Sequence, residues 1–255
     1  MAALDSLLRK MIEAGGSDLH LTVGLPPKIR NSGALVPLED TPIDTATMES
    51  LLKEICSPVR WDEFLENKDL DLAYEIEGLV VVTGPTGSGK STTLAAMIDY
   101  INENLCKHII TIEDPIEFVH PIKKSVIVHR EVGEHTKTFA SALKGAMRHD
   151  PDILLLGEMR ELETIKLALG CASMGMLVFG TLHTNNAPKT VDRIINTFPA
   201  EEQNQVRIML AGCLSGVVAQ LLCKRQPKGR CAVHEILLTH EALPNTIQSG
   251  RIANI

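Results

Sequence analysis

The stretch Leu79-Val80-Val81-Val82-Thr83-Gly84-Pro85-Thr86-Gly87-Ser88-Gly89-Lys90-Ser91 decides the fold. Leu79–Thr83 is an unbroken apolar run that reads as a strand buried on both faces. A glycine-rich loop follows, and a helical pattern opens near Lys90 and runs to about Glu103. The loop fits G-x-x-x-x-G-K-[ST], whose backbone N–H groups wrap a diphosphate at a helix N-terminus. In that pattern Gly84, Pro85, Thr86, Gly87, Ser88 and Gly89 form the cradle. Lys90 reaches the β and γ phosphates, and the Ser91 hydroxyl ligates Mg²⁺.

Downstream, strands and helices alternate. The patterning predicts strands at His108–Glu113, Ile153–Leu156 and Leu177–Leu182, and helices near Thr138–Arg148 and Glu161–Met174. A helix at Pro188–Asn196, a long helix from about Glu201 to Cys223 and a strand at Cys231–Leu238 complete the expected order. Apolar strands alternating with helices predict a parallel sheet covered on both faces.

Three further segments carry chemistry. Asp150-Pro151-Asp152-Ile153-Leu154-Leu155-Leu156-Gly157-Glu158 is a hydrophobic strand ending in an acid, the Walker B arrangement, with Glu158 where many P-loop proteins place Asp. Such an acid lies near Mg²⁺ and the attacking water. Thr111-Ile112-Glu113-Asp114-Pro115-Ile116-Glu117 ends the strand between the two Walker motifs. Ligands bind outside strand carboxyl ends, so one of Glu113, Asp114 and Glu117 can orient water as general base. Gly180-Thr181-Leu182-His183-Thr184 ends another buried strand and brings His183 to the same rim. No N-K-x-D guanine motif occurs, since Asn67-Lys68-Asp69-Leu70 lacks the spacing and follows no strand. ATP is therefore the expected nucleotide.

Upstream, residues 4–14 carry apolar residues at helical spacing and stop at Gly15-Gly16. Short strands are expected at Asp18–Val23, Lys28–Arg30 and Ala34–Leu38. A helix is expected at Thr45–Cys56 with Asp44 as its N-cap, then a short helix near Trp61–Asn67 and a strand at Asp71–Ile76. This predicts a small α+β unit.

Charge and composition narrow the function classes. Lys and Arg number 25 against 32 Asp and Glu, a net charge of −7 that gives no basic face for nucleic acid. Aromatic residues are 3% of the chain, too few for a base-stacking platform. No apolar run approaches the roughly 18 residues of a membrane span, and the N-terminus lacks a signal-peptide pattern. The expectation is a cytoplasmic protein without direct membrane insertion. Six cysteines, Cys56, Cys106, Cys171, Cys213, Cys223 and Cys231, form no C-x-x-C pair and are expected to be reduced and mostly packed.

Taken together, GPTGSGKS, TIEDPIEFVHP, DPDILLLGEMRELET and GTLHTNNAPKTVDRI resemble the Walker A, Asp box, atypical Walker B and His box of the secretion ATPases of the type II and type IV pilus superfamily. Within it the pilus retraction type is most similar. The resemblance extends through Phe198-Pro199-Ala200-Glu201, Gln220-Leu221-Leu222, His234-Glu235-Ile236-Leu237 and the N-terminal Gly16–Leu21 and Gly24–Pro27. It implies a RecA-like P-loop ATPase domain at 79–255, with an α/β fold and a parallel sheet, preceded by a small PAS-like α+β domain at 1–78. It also implies ATP and Mg²⁺ as ligands and a homo-hexamer acting on an inner-membrane pilus platform protein. That places the motor peripherally at the cytoplasmic face of the inner membrane, driving retraction and twitching motility. By residue match, Glu117 activates water, Glu158 and Ser91 lie at the metal, His183 contacts the γ-phosphate and Thr92 lies beside the phosphates.

The resemblance also implies a further segment of several tens of residues where Gly78 here runs into Leu79, completing the first domain and carrying arginines that reach the nucleotide. The chain stops short of the family's final helices, and Glu241–Ile247 lacks the Arg of the retraction type's C-terminal motif. Extension and type II secretion relatives, the alternative reading, carry a tetracysteine insert that is missing here. A RecA-type nucleic-acid motor is the more distant alternative.

Overall fold

The computed structural model describes residues 3–56, 58–67 and 77–255. The strand expected at Asp71–Ile76 lies outside them. The chain divides into two compact units, Met1–Tyr74 and Glu75–Ile255.

The first unit contains α1 (Ala3–Glu13), β1 (Asp18–His20), β2 (Lys28–Asn31), β3 (Ala34–Pro37), α2 (Thr45–Ile55) and α3 (Pro58–Asn67). The strands form an antiparallel sheet in the order β1-β2-β3. Asp44 caps α2 as expected, its carboxylate accepting the Thr47 N–H at 2.7 Å. Among the described residues, Ile29, Ile43 and Leu51 form its buried apolar core.

The second unit contains β4 (Gly78–Thr83), α4 (Lys90–Asn104), β5 (His108–Glu113), β6 (Val126–Glu131), α5 (Phe139–Ala146), β7 (Ile153–Leu156) and α6 (Leu162–Ser173). β8 (Leu177–Leu182), α7 (Ala187–Asn196), α8 (Gln203–Cys213), β9 (Leu214–Lys224), β10 (Arg230–Leu238) and α9 (Leu243–Gln248) complete it. Its seven-stranded sheet has the order β10-β9-β4-β8-β7-β5-β6. All neighbours pair in parallel except β9 and β10, which form an antiparallel hairpin. The α/β class and the parallel sheet are as the sequence predicts.

Alternation along the strands splits the core. Leu79 and Val81 of β4, with Ile110, Leu154, Val178 and Val217, pack against α5, α6, α7 and α8 through Leu143, Ile165, Val191 and Leu210. Val82, Ile109, Leu155, Phe179 and Val218 face the other way, onto Leu94 and Ile98 of α4. Burying each such Leu or Ile is worth about 1.5–3 kcal/mol. Both faces are dry, which is why these strands read as continuous apolar runs.

The chain leaves β4, passes β8 and β7 to lay down β5, returns through β7 and β8, and then places β9 on the far side of β4. The strand order therefore switches direction at β4, and a crevice opens at the parallel strands' carboxyl ends, where α/β sheets bind ligands.

Four details depart from expectation. The long helix read from Glu201 to Cys223 ends at Cys213, and β9 begins at once. Gly212 and Gly216 flank the junction, yet the apolar spacing of Val206, Leu210 and Cys213 continues into Val217. Pairing of β9 with β4 overrides the helical pattern. β6 is an edge strand whose exposed Val126 and Val128 alternate with less exposed neighbours, and its short run gave no strand signal. β4 begins at Gly78, one residue earlier than the predicted strand. Of the six free cysteines only Cys171 and Cys213 are buried, their thiols pushed up to about 11 by burial. Cys106, Cys223 and Cys231 are exposed, the last two on the β9–β10 hairpin that was read as partly helical.

Candidate active site

The four motifs converge on the carboxyl ends of β4, β5, β7 and β8. Each buried strand stops where its apolar run stops, so its next residue leaves the sheet at the same rim. The loop 84–89 follows β4, Glu113 ends β5 and Asp114–Glu117 follow it, Glu158 follows β7 and His183 follows β8. They line one cleft of about 500 Å³, with Gly87, Gly89, Lys90, Ser91, Thr92, Glu117, Glu158 and His183 on its walls.

Lys90 is nearly buried, and its ammonium donates to the Gly84 carbonyl at 3.0 Å and the Pro85 carbonyl at 3.2 Å. Burial pulls its pKa below the ordinary lysine value, while the charges of Glu158 and Glu117 oppose that. A phosphate chain at this position supplies the counter-charge that a buried ammonium favours. The Ser91 hydroxyl donates to Glu117 Oε1 at 3.0 Å, so the residue expected at the metal and the residue expected to activate water touch each other. His183 Nε2 lies 3.4 Å from Glu158 Oε1, and Arg160 Nε lies 4.0 Å from the same oxygen.

Glu113 is different. Burial opposes its ionisation, but His129, the Thr111 hydroxyl and the Glu117 backbone N–H outweigh it and hold the carboxyl below its ordinary value. Thr111 Oγ1 lies 2.9 Å from His129 Nδ1, and the His120 N–H donates to His129 Nε2 at 3.3 Å. Glu113 is thus engaged by its neighbours, whereas Glu117 reaches the P-loop serine. Two of the three carboxylates left open by the sequence, Glu113 and Glu117, therefore occupy different surroundings.

The rim is cross-braced. Thr83 at the end of β4 is fully buried, and its hydroxyl accepts the Thr184 N–H at 2.8 Å and lies 2.7 Å from the Thr184 carbonyl, to which it can donate. That pins the residue after His183 to the residue before the P-loop. Among the described residues, no group of three or more His, Cys, Asp and Glu side chains is placed to hold a metal. The hard oxygens of Ser91 and Glu158 beside a phosphate cleft fit Mg²⁺, which keeps several waters and shares phosphate oxygens. Leu222 and Arg230, from β9 and β10, also line the cleft. Sequence reasoning missed both, because the hairpin that carries them was read as partly helical.

A family model described as "Type II/IV secretion system protein" matches residues 62–253. The chain belongs to that family. Within the secretion-system family it is 41% identical to the "Type IV pilus retractation ATPase PilT" of Pseudomonas aeruginosa, over 99% of this chain and 87% of that protein. It is 57% identical to a "Twitching motility protein" of Neisseria gonorrhoeae over 72% of this chain and 50% of that protein. The structure is similar to "Crystal Structure of the Pilus Retraction Motor PilT and Bound ADP", with a TM-score of 0.68 and 39% identity over 100% of this chain and 88% of that one. The alignment with the Pseudomonas protein runs over 299 positions against 255 residues here, so at least 44 positions have no residue in this chain. Among the described residues no helix is long and apolar enough to cross a membrane.

Proposed function

We propose that this chain is an ATP-hydrolysing motor that assembles as a homo-hexamer and drives type IV pilus retraction. One observation carries the reading: loop 84–91, Glu117, Glu158 and His183 meet in a single cleft at the strand carboxyl ends, in a chain 41% identical to a retraction ATPase. Backbone N–H groups of the loop and Lys90 hold the phosphates, and Thr92 lies beside them. Glu117 takes a proton from the attacking water. His183, beside Glu158, donates toward the γ-phosphate. Ser91 and Glu158 would hold Mg²⁺, which would supply charge neutralisation for the phosphates when bound.

Residues 1–78 form a PAS-like domain and 79–255 a RecA-like domain. Hydrolysis moves one against its neighbour in the ring as rigid bodies. The ring acts on an inner-membrane pilus platform protein from the cytoplasmic face, as a peripheral assembly without membrane insertion and without nucleic acid. A chromosomal deletion tests this directly. Hyperpiliated, non-twitching cells are the expected result; bare cells would assign the chain to pilus extension instead. ATP turnover stimulated many-fold by DNA would replace the reading with a nucleic-acid motor.

A further inference from the structure

The P-loop rests on a residue 132 positions away in the chain. Gln220 of β9 is 3% exposed, a carboxamide that follows the buried Val217, Val218 and Ala219. Its Nε2 donates to the Ser88 carbonyl at 2.6 Å. Its Oε1 accepts from the Thr93 hydroxyl at 2.7 Å and from His234 Nε2 at 3.1 Å. His234 sits directly opposite Gln220 in the β9–β10 register. A buried amide is retained only if its partners are satisfied, and here one side chain joins the loop, the first turn of α4 and the hairpin.

The loop is shaped around it. A Cβ on Gly84 would lie 2.3 Å from the Gln220 carbonyl oxygen, at a backbone φ of +148° that L side chains rarely adopt. A Cβ on Gly89 would lie 2.9 Å from Gln220 Nε2. Two glycines of the motif therefore permit close approach to β9 as well as to phosphate. The Ser88 contact also has a direction. In a trans peptide the N–H points opposite to the preceding C=O. Fixing the Ser88 carbonyl on Gln220 therefore aims the Gly89 N–H away from β9. Phosphate cradles work by such preset N–H directions.

We propose that Gln220, steadied by His234, is a positioning residue that holds the Ser88–Gly89 peptide in its phosphate-binding orientation and so makes nucleotide affinity depend on the β9–β10 hairpin. It does not touch the reacting atoms; it acts through the loop. The hairpin also brings Leu222 and Arg230 to the cleft wall, so a shift of the hairpin reaches the site at two places.

The inference rests on the cleft holding ATP, and the experiment separates the two. Mg²⁺–ADP is titrated calorimetrically into the assembled full-length protein, alongside steady-state ATP turnover. Lys90→Ala marks loss of the site itself. Gln220→Leu removes every bond while keeping volume, and weakens Mg²⁺–ADP about tenfold or more. The KM for ATP rises by the same factor, and kcat changes far less. Gln220→Glu still accepts from Thr93 and His234 but cannot donate to Ser88, and it loses affinity to a similar degree. His234→Phe weakens binding about threefold. His234→Gln, which keeps a donor, recovers most of that loss.

Wild-type affinity in folded, assembled Gln220→Leu overturns the inference and leaves the ATP reading intact. So does a fall in kcat with unchanged KM. If the wild type itself binds no Mg²⁺–ADP, the reading of the cleft fails first. Should Gln220→Leu not fold, the His234→Phe and His234→Gln pair decides alone, and equal affinities in the two overturn the proposal.

Discussion

Strand β7 carries an acid at each end, and the two have opposite duties. At the amino end, Asp152 accepts the His108 N–H at 2.7 Å and the Lys107 ammonium at 3.1 Å. At the carboxyl end, Glu158 lies 3.4 Å from His183 and 4.0 Å from Arg160 and faces the cleft. β5 repeats the contrast, with His108 tied to the sheet at its start and Glu117, past its end, on the cleft wall. The amino ends tie neighbouring strands together, and the carboxyl ends of β5 and β7 lead into the residues that line the cleft. Parallel strands make this division possible, because every carboxyl end faces the same crevice.

Substitutions at the two ends therefore separate turnover from stability. The largest effect is expected at Glu117→Gln, which lowers kcat by about 10²–10⁴-fold in a phosphate-release assay. Its thermal unfolding midpoint stays near wild type, since the residue is at the exposed rim. Glu158→Gln follows, with about 10²–10³-fold lost from kcat and little change in unfolding. A large loss of stability in either variant would break the division.

Thr83→Val lies between the two classes. It leaves the Thr184 N–H without its partner inside the structure, at a cost of about 1–3 kcal/mol by chemical denaturation. It also loosens the brace beside His183, so kcat falls in the same variant. Unchanged kcat would uncouple the brace from the site.

The smallest effect is at the amino end. Burial opposes ionisation of Asp152, but the His108 N–H and Lys107 outweigh it and hold the carboxyl below its ordinary value. A depressed native value contributes stability that is fully present above the unfolded pKa of about 3.9. That contribution is lost as pH falls through the native value. Asp152→Asn therefore flattens the acid limb of the stability curve below about pH 4 and leaves turnover at neutral pH unchanged. An acid limb identical to wild type would contradict the assignment.

The same strands show what a sequence makes legible. β8 is six consecutive buried residues, bounded by a glycine turn before and a histidine after, and its limits at Leu177–Leu182 coincide with the predicted ones. β9 has the same parallel neighbour, β4, yet its last residues run out of the core into solvent and it follows α8 without a linking residue. Gly212 and Gly216 flank that change, but the sheet contact that stabilises β9 comes from residues far upstream in the chain. The site divides in the same way. Loop 84–91 is contiguous, so its chemistry follows from the local string of glycines and Lys90. Arg230, Leu222 and the Gln220 strut reach it through the hairpin, and only the fold brings them there. The contact of Ser91 with Glu117 lies between these cases: both residues carry motif signals, but their meeting depends on β4 and β5 sharing one rim.

We propose that Glu117, presented past the carboxyl end of β5, activates the water that attacks the γ-phosphate. A crystal structure of the assembled protein with Mg²⁺ and a non-hydrolysable ATP analogue tests it most directly. The account predicts the Glu117 carboxylate within hydrogen-bond reach of a water in line with the γ-phosphorus, with Ser91 turned from Glu117 to the metal. A Glu117 still bonded to Ser91, with Glu113 or Asp114 holding that water instead, would contradict it.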